Sequence, residues 1–529
     1  MTTKRPNFLL FITDQHKADH LGAYGNPVLR TPNLDALAAR GWKAENFNVA
    51  TPICMPNRSS LMTGRMPSVH GARHNGIPLS LQATTFVEKL RDHGYRTALV
   101  GKSHLQNMTG IAAKWPRPQD PRTEGEARHP QGGNYDQEWA PFWRNDPDHD
   151  MELPFYGFSR VALTVDHGDQ VQGHYWRWLE ENHPEAARSA GPEQAIPTPE
   201  YELSRFRQAW RTRVPEELST NGYIGMKTRE LIREYAQGEQ PFFIQCSFPD
   251  PHHPFTPHGK YWGMYRPEEV DLPASFHASQ AHTPPAHVAW LYEQRDRAAA
   301  VKNTPALFSC TEREAREAIA LNYGSISHID HVIGEVMAEL RDQGLADDTV
   351  VIFMSDHGDY LGDHQLLWKG PIHYRSLIRT PFIWMDPANP QARHNQDALA
   401  STIDVAATVL ERSGVLPYNG IQGQSLLPLM DNRRSSLRDH LLIEEEGQRV
   451  MFGLDTRVRM RTLVDGRHRL SLYEKGAFGE LYDLQEDPME LVNLWDAPAH
   501  AARKSALLEA LALAMIDHTD TSPNPTAIA

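Results

Sequence analysis

Residues 349–358 read Thr-Val-Val-Ile-Phe-Met-Ser-Asp-His-Gly. The β-branched and apolar run over 349–354 stops abruptly at Ser355-Asp356-His357-Gly358. That is the pattern of a strand buried on both faces that delivers polar side chains at its carboxyl end. Just upstream, residues 312–343 place Ile326, Ile329, Ile333, Val336, Met337 and Leu340 on one helical face, with Gly344 as the stop. A helix running straight into a buried strand is the unit of a parallel sheet. The same alternation extends outward. Strands are expected at 8–13, 96–100, 242–248 and 382–385. Helices are expected at 33–40, ending at Gly41, and from the Thr85/Glu88 capping box to Gly94. The expected fold class is α/β: a large mixed, mostly parallel sheet flanked by helices. Past His440 the segments shorten, Asp465-Gly466 marks a hairpin turn, and a terminal helix is expected near 503–516. We therefore expect a larger α/β domain over 1–435 and a smaller C-terminal antiparallel sheet plus helix over 436–529. Two stretches rich in Pro, Trp and charge, near 107–215 and 256–305, read as insertions.

The 529 residues carry a net charge of −14, which argues against a broad nucleic-acid or anionic-membrane surface. Hydrophobic residues at 40% and charged residues at 23% are ordinary for a globular chain. Three cysteines, Cys54, Cys246 and Cys310, cannot build a disulfide framework. Their scarcity, with an apolar run after Lys4-Arg5 too short for a signal core and no membrane-spanning stretch, points to a cytoplasmic protein. The segment after His518 leaves a homo-oligomer open.

Polar clusters follow four of the expected strands: Asp14-Gln15, Lys102-Ser103-His104, Asp250-Pro-His252-His253-Pro254 and Asp356-His357. Ligands of open α/β sheets bind at the carboxyl ends of strands, so four such ends suggest one shared site. Each cluster alone has a plainer reading, as a helix cap, a turn or a solvated surface residue.

A fifth element is Cys54-Met-Pro56-Asn-Arg58, extended by Leu61-Met-Thr63-Gly64-Arg65. Its plain reading is a buried cysteine before a helix starting near Asn57. A second reading is a thiolate nucleophile, its pKa depressed by the helix and the arginine.

The 54–65 stretch resembles the sulfatase motif in which the cysteine becomes formylglycine. Asp14, the Gly-Lys-x-His of 101–104, the Pro-His-x-Pro of 251–254, Ser355-Asp-His-Gly358 and Lys369 follow the order of that family. Glu480-Leu-Tyr-Asp483 through Asn493-Leu494 resembles its C-terminal tail. The resemblance implies an alkaline-phosphatase-like fold and a hydrolase of sulfate monoesters, of the arylsulfatase type. Asp14-Gln15 departs from the paired Asp of many sulfatases and, with Asp356-His357, also resembles phosphonate monoester hydrolases. Asn57 departs from the usual Ser.

By this resemblance Asp14, Gln15, Cys54, Asp356 and His357 surround one divalent metal ion, and the oxygen-rich donor set suits Ca²⁺ or Mn²⁺. Arg58 holds the formylglycine hydrate, Lys102 and Lys369 bind sulfate oxygens, His104 is a base and His252 an acid. The implied partners are a small anionic ester and a formylglycine-generating enzyme. The alternative within the same chemistry is a phosphonate monoester or phosphodiester hydrolase; the outsider is a non-catalytic binding protein. Asn75, His253, Asp363, His364 and His373 are candidate pocket residues, and Cys246 and Cys310 are expected to be buried packing groups.

Overall fold

The computed structural model describes residues 5–111, 132–390, 396–476 and 478–527. Among them, eight strands form one sheet in the order Trp42–Lys43, Phe382–Met385, Thr349–Ser355, Asn7–Thr13, Phe242–Ser247, Arg96–Lys102, Arg160–Val165 and Gln172–Gly173. The middle five run parallel and the outer ones antiparallel. Asn7–Thr13 sits between Thr349–Ser355 and Phe242–Ser247, all of its residues buried, as its unbroken apolar sequence requires. Helices pack on both faces. One apolar layer contains Leu9, Phe11, Ile244 and the long helix Glu312–Asp342. The other contains Phe8, Leu10, Ile12 and Val405–Val409 of the helix Asp404–Ser413.

Helices Pro32–Arg40, Phe86–Asp92 and Glu312–Asp342 lie where the periodicity places them. Thr85 accepts from the Glu88 amide, as its cap position predicts. The helix Cys54–Thr63 starts three residues earlier than expected. Pro56 falls in its first turn, where a missing N–H costs nothing. All ten of its residues are buried, so no solvent face exists to give it a period.

Arg160–Val165 corrects the reading of 107–215 as an insertion: it is a parallel strand of the main sheet, paired with Arg96–Lys102. Leu441–Glu446, Arg459–Val464, His468–Tyr473 and Gly479–Asp483 form a separate antiparallel sheet. Gly466, at φ 83°, closes the expected Asp-Gly hairpin. The helix Ala501–Asp517 lays Leu507 and Leu511 against Leu442, Leu463, Leu470 and Leu481. The segment after it folds back, with Arg65 paired to Asp520 and Gln422 donating to His518 O. Among the described residues, no helix is long and apolar enough to cross a membrane.

Candidate active site

Five parallel strands end on one side of the sheet, and the reactive side chains sit on the turns that follow. Asp14 follows Thr13, Lys102 closes its own strand, and Asp250, Asp356 and His357 follow theirs. Two glycines permit the crowding. Gly101 has φ 105°, and a Cβ there would fall 1.9 Å from Ser247 O. One on Gly358 would fall 2.0 Å from Ser376 O.

Cys54 occupies the first turn of the buried helix. Its Sγ lies 3.0 Å from His357 Nε2, 2.9 Å from Lys369 Nζ and 3.8 Å from Asp14 Oδ1. Burial and Asp14 push the thiol up, but Lys369, His357 and Lys102 outweigh them and bring it down to about 7. Arg58, one helical turn on, donates from Nε to Asp356 Oδ2 at 2.7 Å and from Nη1 to Lys102 O and Ser247 Oγ. Its Nη2 lies 3.6 Å from Asp14 Oδ2 and makes no hydrogen bond among the described residues.

Burial would raise the Asp14 carboxyl; Lys102, His252, His167 and Arg58 hold it well below the usual carboxylate range. Lys102 donates to Asp14 Oδ2 and lies 2.7 Å from His167 Nε2. Lys369 contacts Gln15 Oε1 at 3.0 Å, and His252 Nε2 and His357 Nε2 both at 3.1 Å. Burial opposes its charge, but Cys54 and Asp14 raise its pKa. Burial, then His167 and Lys369, hold His252 well below its ordinary value; burial, then Lys102 and Arg58, do the same to His104. His104 is 7% exposed, beside Lys102, with Nδ1 unbonded among the described residues. Its amide and those of Leu105 and Gln106 all donate to the Glu138 carboxylate.

The donor atoms of Asp14, Cys54, Asp356 and His357 all lie within 4.8 Å of one another, a spacing that fits one cation. His357 Nδ1 contacts Gly358 O at 2.8 Å, which leaves Nε2 facing Asp14 and Asp356 at 3.7 and 3.8 Å, where it could serve as a ligand nitrogen. Gln15 touches the same centre through Lys369, while its Nε2 donates to Asp359.

The other candidates divide. His253 stacks between His252 and Trp368 with centroids 4.3 and 3.9 Å away, and Asn75 Oδ1 accepts from the Met55 amide. Asp363 instead binds Lys17 and Ser275, His364 stacks on Tyr374, and His373 binds Glu445 and Thr462. Those three are committed to packing partners. Cys246 and Cys310 are buried, and burial pushes the Cys246 thiol up to about 12.

Sequence reasoning missed His167. Its ring stacks on His252 at 3.8 Å, and its Nε2 is 3.5 Å from Asp14 Oδ2. A signal existed: Asp166-His167-Gly168-Asp169 repeats Asp356-His357-Gly358-Asp359 directly after an apolar run.

The sulfatase family model matches residues 6–155 and 193–415. A second, described as N-sulphoglucosamine sulphohydrolase, C-terminal, matches residues 362–516. An arylsulfatase of Clostridium perfringens (strain 13 / Type A) is 26% identical over 512 residues, covering 94% of this chain and 92% of its own. The multifunctional alkaline phosphatase superfamily protein PehA of Trinickia caryophylli is 30% identical over 524 residues, covering 94% and 93%. Among solved structures, a phosphonate monoester hydrolase of Agrobacterium radiobacter superimposes with a TM-score of 0.73 at 26% identity, covering 98% of this chain and 97% of that one. With the family model spanning more than half of the sequence and relatives aligned over most of its length, the chain belongs to the sulfatase family of the alkaline phosphatase superfamily.

Proposed function

We propose that the protein hydrolyses sulfate monoesters, using a nucleophile made by oxidising Cys54 to formylglycine. The observation that carries this reading is the position of Cys54, buried at a helix start and in contact with both His357 and Lys369. A sulfate ester repels nucleophiles through its peripheral oxygens, so the site must neutralise charge as it attacks. Residue 54, hydrated, offers two hydroxyls on one carbon. One attacks sulfur in line while the ester oxygen leaves. The other then loses its proton, the carbon–oxygen bond to sulfate breaks, and the aldehyde returns.

Asp14, Asp356 and His357, with Gln15 and residue 54, would hold one divalent cation, Ca²⁺ or Mn²⁺. Bound there, it supplies Lewis acidity toward the nucleophile and the ester oxygens. Arg58 orients residue 54 while bonded to Asp356. Lys102 and Lys369 meet the sulfate oxygens. His252 protonates the leaving oxygen, the negative charge of the substrate offsetting the burial that keeps its ring neutral. His104, neutral for the same reason, accepts the second hydroxyl proton. Because the whole Cys54–Thr63 helix is buried, a formylglycine-generating enzyme would have to reach Cys54 before the chain closes around it. The separate pairing of residues 441–483 supports a division near residue 435, and three unpaired cysteines support a cytoplasmic location.

A second reading, hydrolysis of phosphonate monoesters or phosphodiesters, is favoured by Asp14-Gln15 with Asp356-His357 and by the Agrobacterium radiobacter neighbour. Mass spectrometry of the tryptic peptide 44–58 from active protein tests the nucleophile. Loss of sulfur with gain of one oxygen is expected; full activity with an intact thiol would sink the reading. Chelation should abolish turnover and divalent cation should restore it.

A further inference from the structure

We infer that Arg449 binds the leaving group and selects esters whose alcohol carries a second anionic group, such as a carboxylate. This rests on the reading that an ester is cleaved at residue 54. A small cleft lined by Ile53, Leu307, Lys369, Gln448, Arg449 and Met451 adjoins that position through Ile53 and Lys369. Ile53 adjoins Cys54 in the chain, and Lys369 Nζ lies 2.9 Å from the Cys54 sulfur, so the cleft lies beside the reactive centre. A departing alcohol lying over the mouth of this cleft would meet Arg449. The cleft itself, about 20 Å³, holds little more than a water, but Ile53, Leu307 and Met451 give it an apolar rim against which an aryl or alkyl group can pack.

Arg449 differs from four other buried or half-buried arginines of this chain. Arg58, Arg412, Arg438 and Arg469 each pair with a carboxylate. Arg449 is partly buried, and among the described residues it has no carboxylate within 4.0 Å. Its one hydrogen bond there runs from Nη1 to Thr304 Oγ1 at 2.8 Å, which restrains one edge of the guanidinium and leaves the other donors uncommitted. Burial pulls its pKa down with no acid to offset it. Glu445 lines the same cleft, but its Oε2 lies 2.9 Å from His373 Nε2. The loop is tied to the nucleophile helix as well: Asn75 donates to Gln448 Oε1 at 3.3 Å and accepts from the Met55 amide. A partly buried, pre-oriented guanidinium without a counter-ion is poised for a two-pronged bond to a carboxylate.

The test compares phenyl sulfate with 4-carboxyphenyl sulfate in wild type and in Arg449→Met and Arg449→Lys. The wild type should prefer the carboxylated ester by ~10-fold or more in kcat/KM, mostly through KM. Arg449→Met should bring the ratio close to one, and Arg449→Lys should leave an intermediate ratio, because it keeps the charge but not the fork. The same two leaving groups on phenylphosphonate monoesters separate the two questions. Turnover of phosphonates alone would defeat the sulfatase reading while still measuring the Arg449 ratio. Should neither series react, titration calorimetry of 4-hydroxybenzoate against phenol decides, with tighter carboxylate binding expected in wild type and lost in Arg449→Met. Equal values for both leaving groups in wild type, or a preference that survives in a folded Arg449→Met, would overturn the inference.

Discussion

Lys369 Nζ lies 2.9 Å from Cys54 Sγ, across 315 residues of chain. The lysine is held there by its own loop. Tyr360 donates its hydroxyl to Gly370 O and Ile372 O, and Tyr473, from the C-terminal sheet, donates to Pro371 O. The small sheet thus braces the loop that carries a cation into the site.

Removing that cation should hurt the chemical step more than binding. Lys369→Met is expected to lower kcat by ~10²–10³-fold, the size found for losing one preorganised transition-state donor. Steady-state kinetics on an aryl sulfate checks this. A change confined to KM would mean that Lys369 only gathers substrate.

Cys54→Ser separates the two halves of the proposed reaction. A single hydroxyl can attack sulfur but has no second hydroxyl with which to expel the sulfate. We expect at most one equivalent of phenol released per enzyme, followed by arrest, in a rapid-mixing experiment. Sustained turnover by the serine variant would show that the second hydroxyl is not needed.

Much of this site was legible because strands buried on both faces end sharply, and Asp14, Lys102, Asp356 and His357 follow apolar runs without ambiguity. The Cys54–Thr63 helix was readable as a motif but not as a helix, since full burial erased its periodicity. Arg160–Val165 was hidden for a different reason. It lies next to the short edge strand, is exposed at its start, and sits in a stretch dominated by Pro, Trp and charge. With it went His167, whose Asp-His-Gly context matched a cluster already recognised. The commitment of Asp363, His364 and His373 to distant partners is a tertiary fact that spacing does not encode.

Asp250 gives the fold a pH signature. Burial pushes its carboxyl up to about 6, with the Asn221 amide donating to it at 2.8 Å. The folded protein therefore holds this proton through a range in which the unfolded chain, near 3.8, has released it. Its contribution to stability falls as pH rises from about 4 to about 6 and is flat above. Asp250→Asn keeps an acceptor for Asn221 and removes the titration. Relative to wild type the variant should gain on the order of 2–3 kcal/mol between pH 4 and pH 7. Urea melts across that range check the sign; a wild-type advantage that grows with pH would contradict it.

The pocket, as we propose, is built for a sulfate monoester, with Lys102 from a strand end and Lys369 from its own loop facing peripheral oxygens. Replacing one peripheral oxygen by carbon takes away the anionic acceptor that one of these buried lysines would meet and puts an apolar group against its charge, a mismatch that commonly costs several kcal/mol. The direct measurement is kcat/KM for 4-nitrophenyl sulfate against 4-nitrophenyl phenylphosphonate on fully converted, metal-loaded enzyme. The sulfate should win by at least about tenfold, and Lys102→Ala should narrow that gap by slowing sulfate more than phosphonate. A phosphonate preference in the wild type would rule out a sulfatase and make Gln15 and His357 the residues that name the substrate.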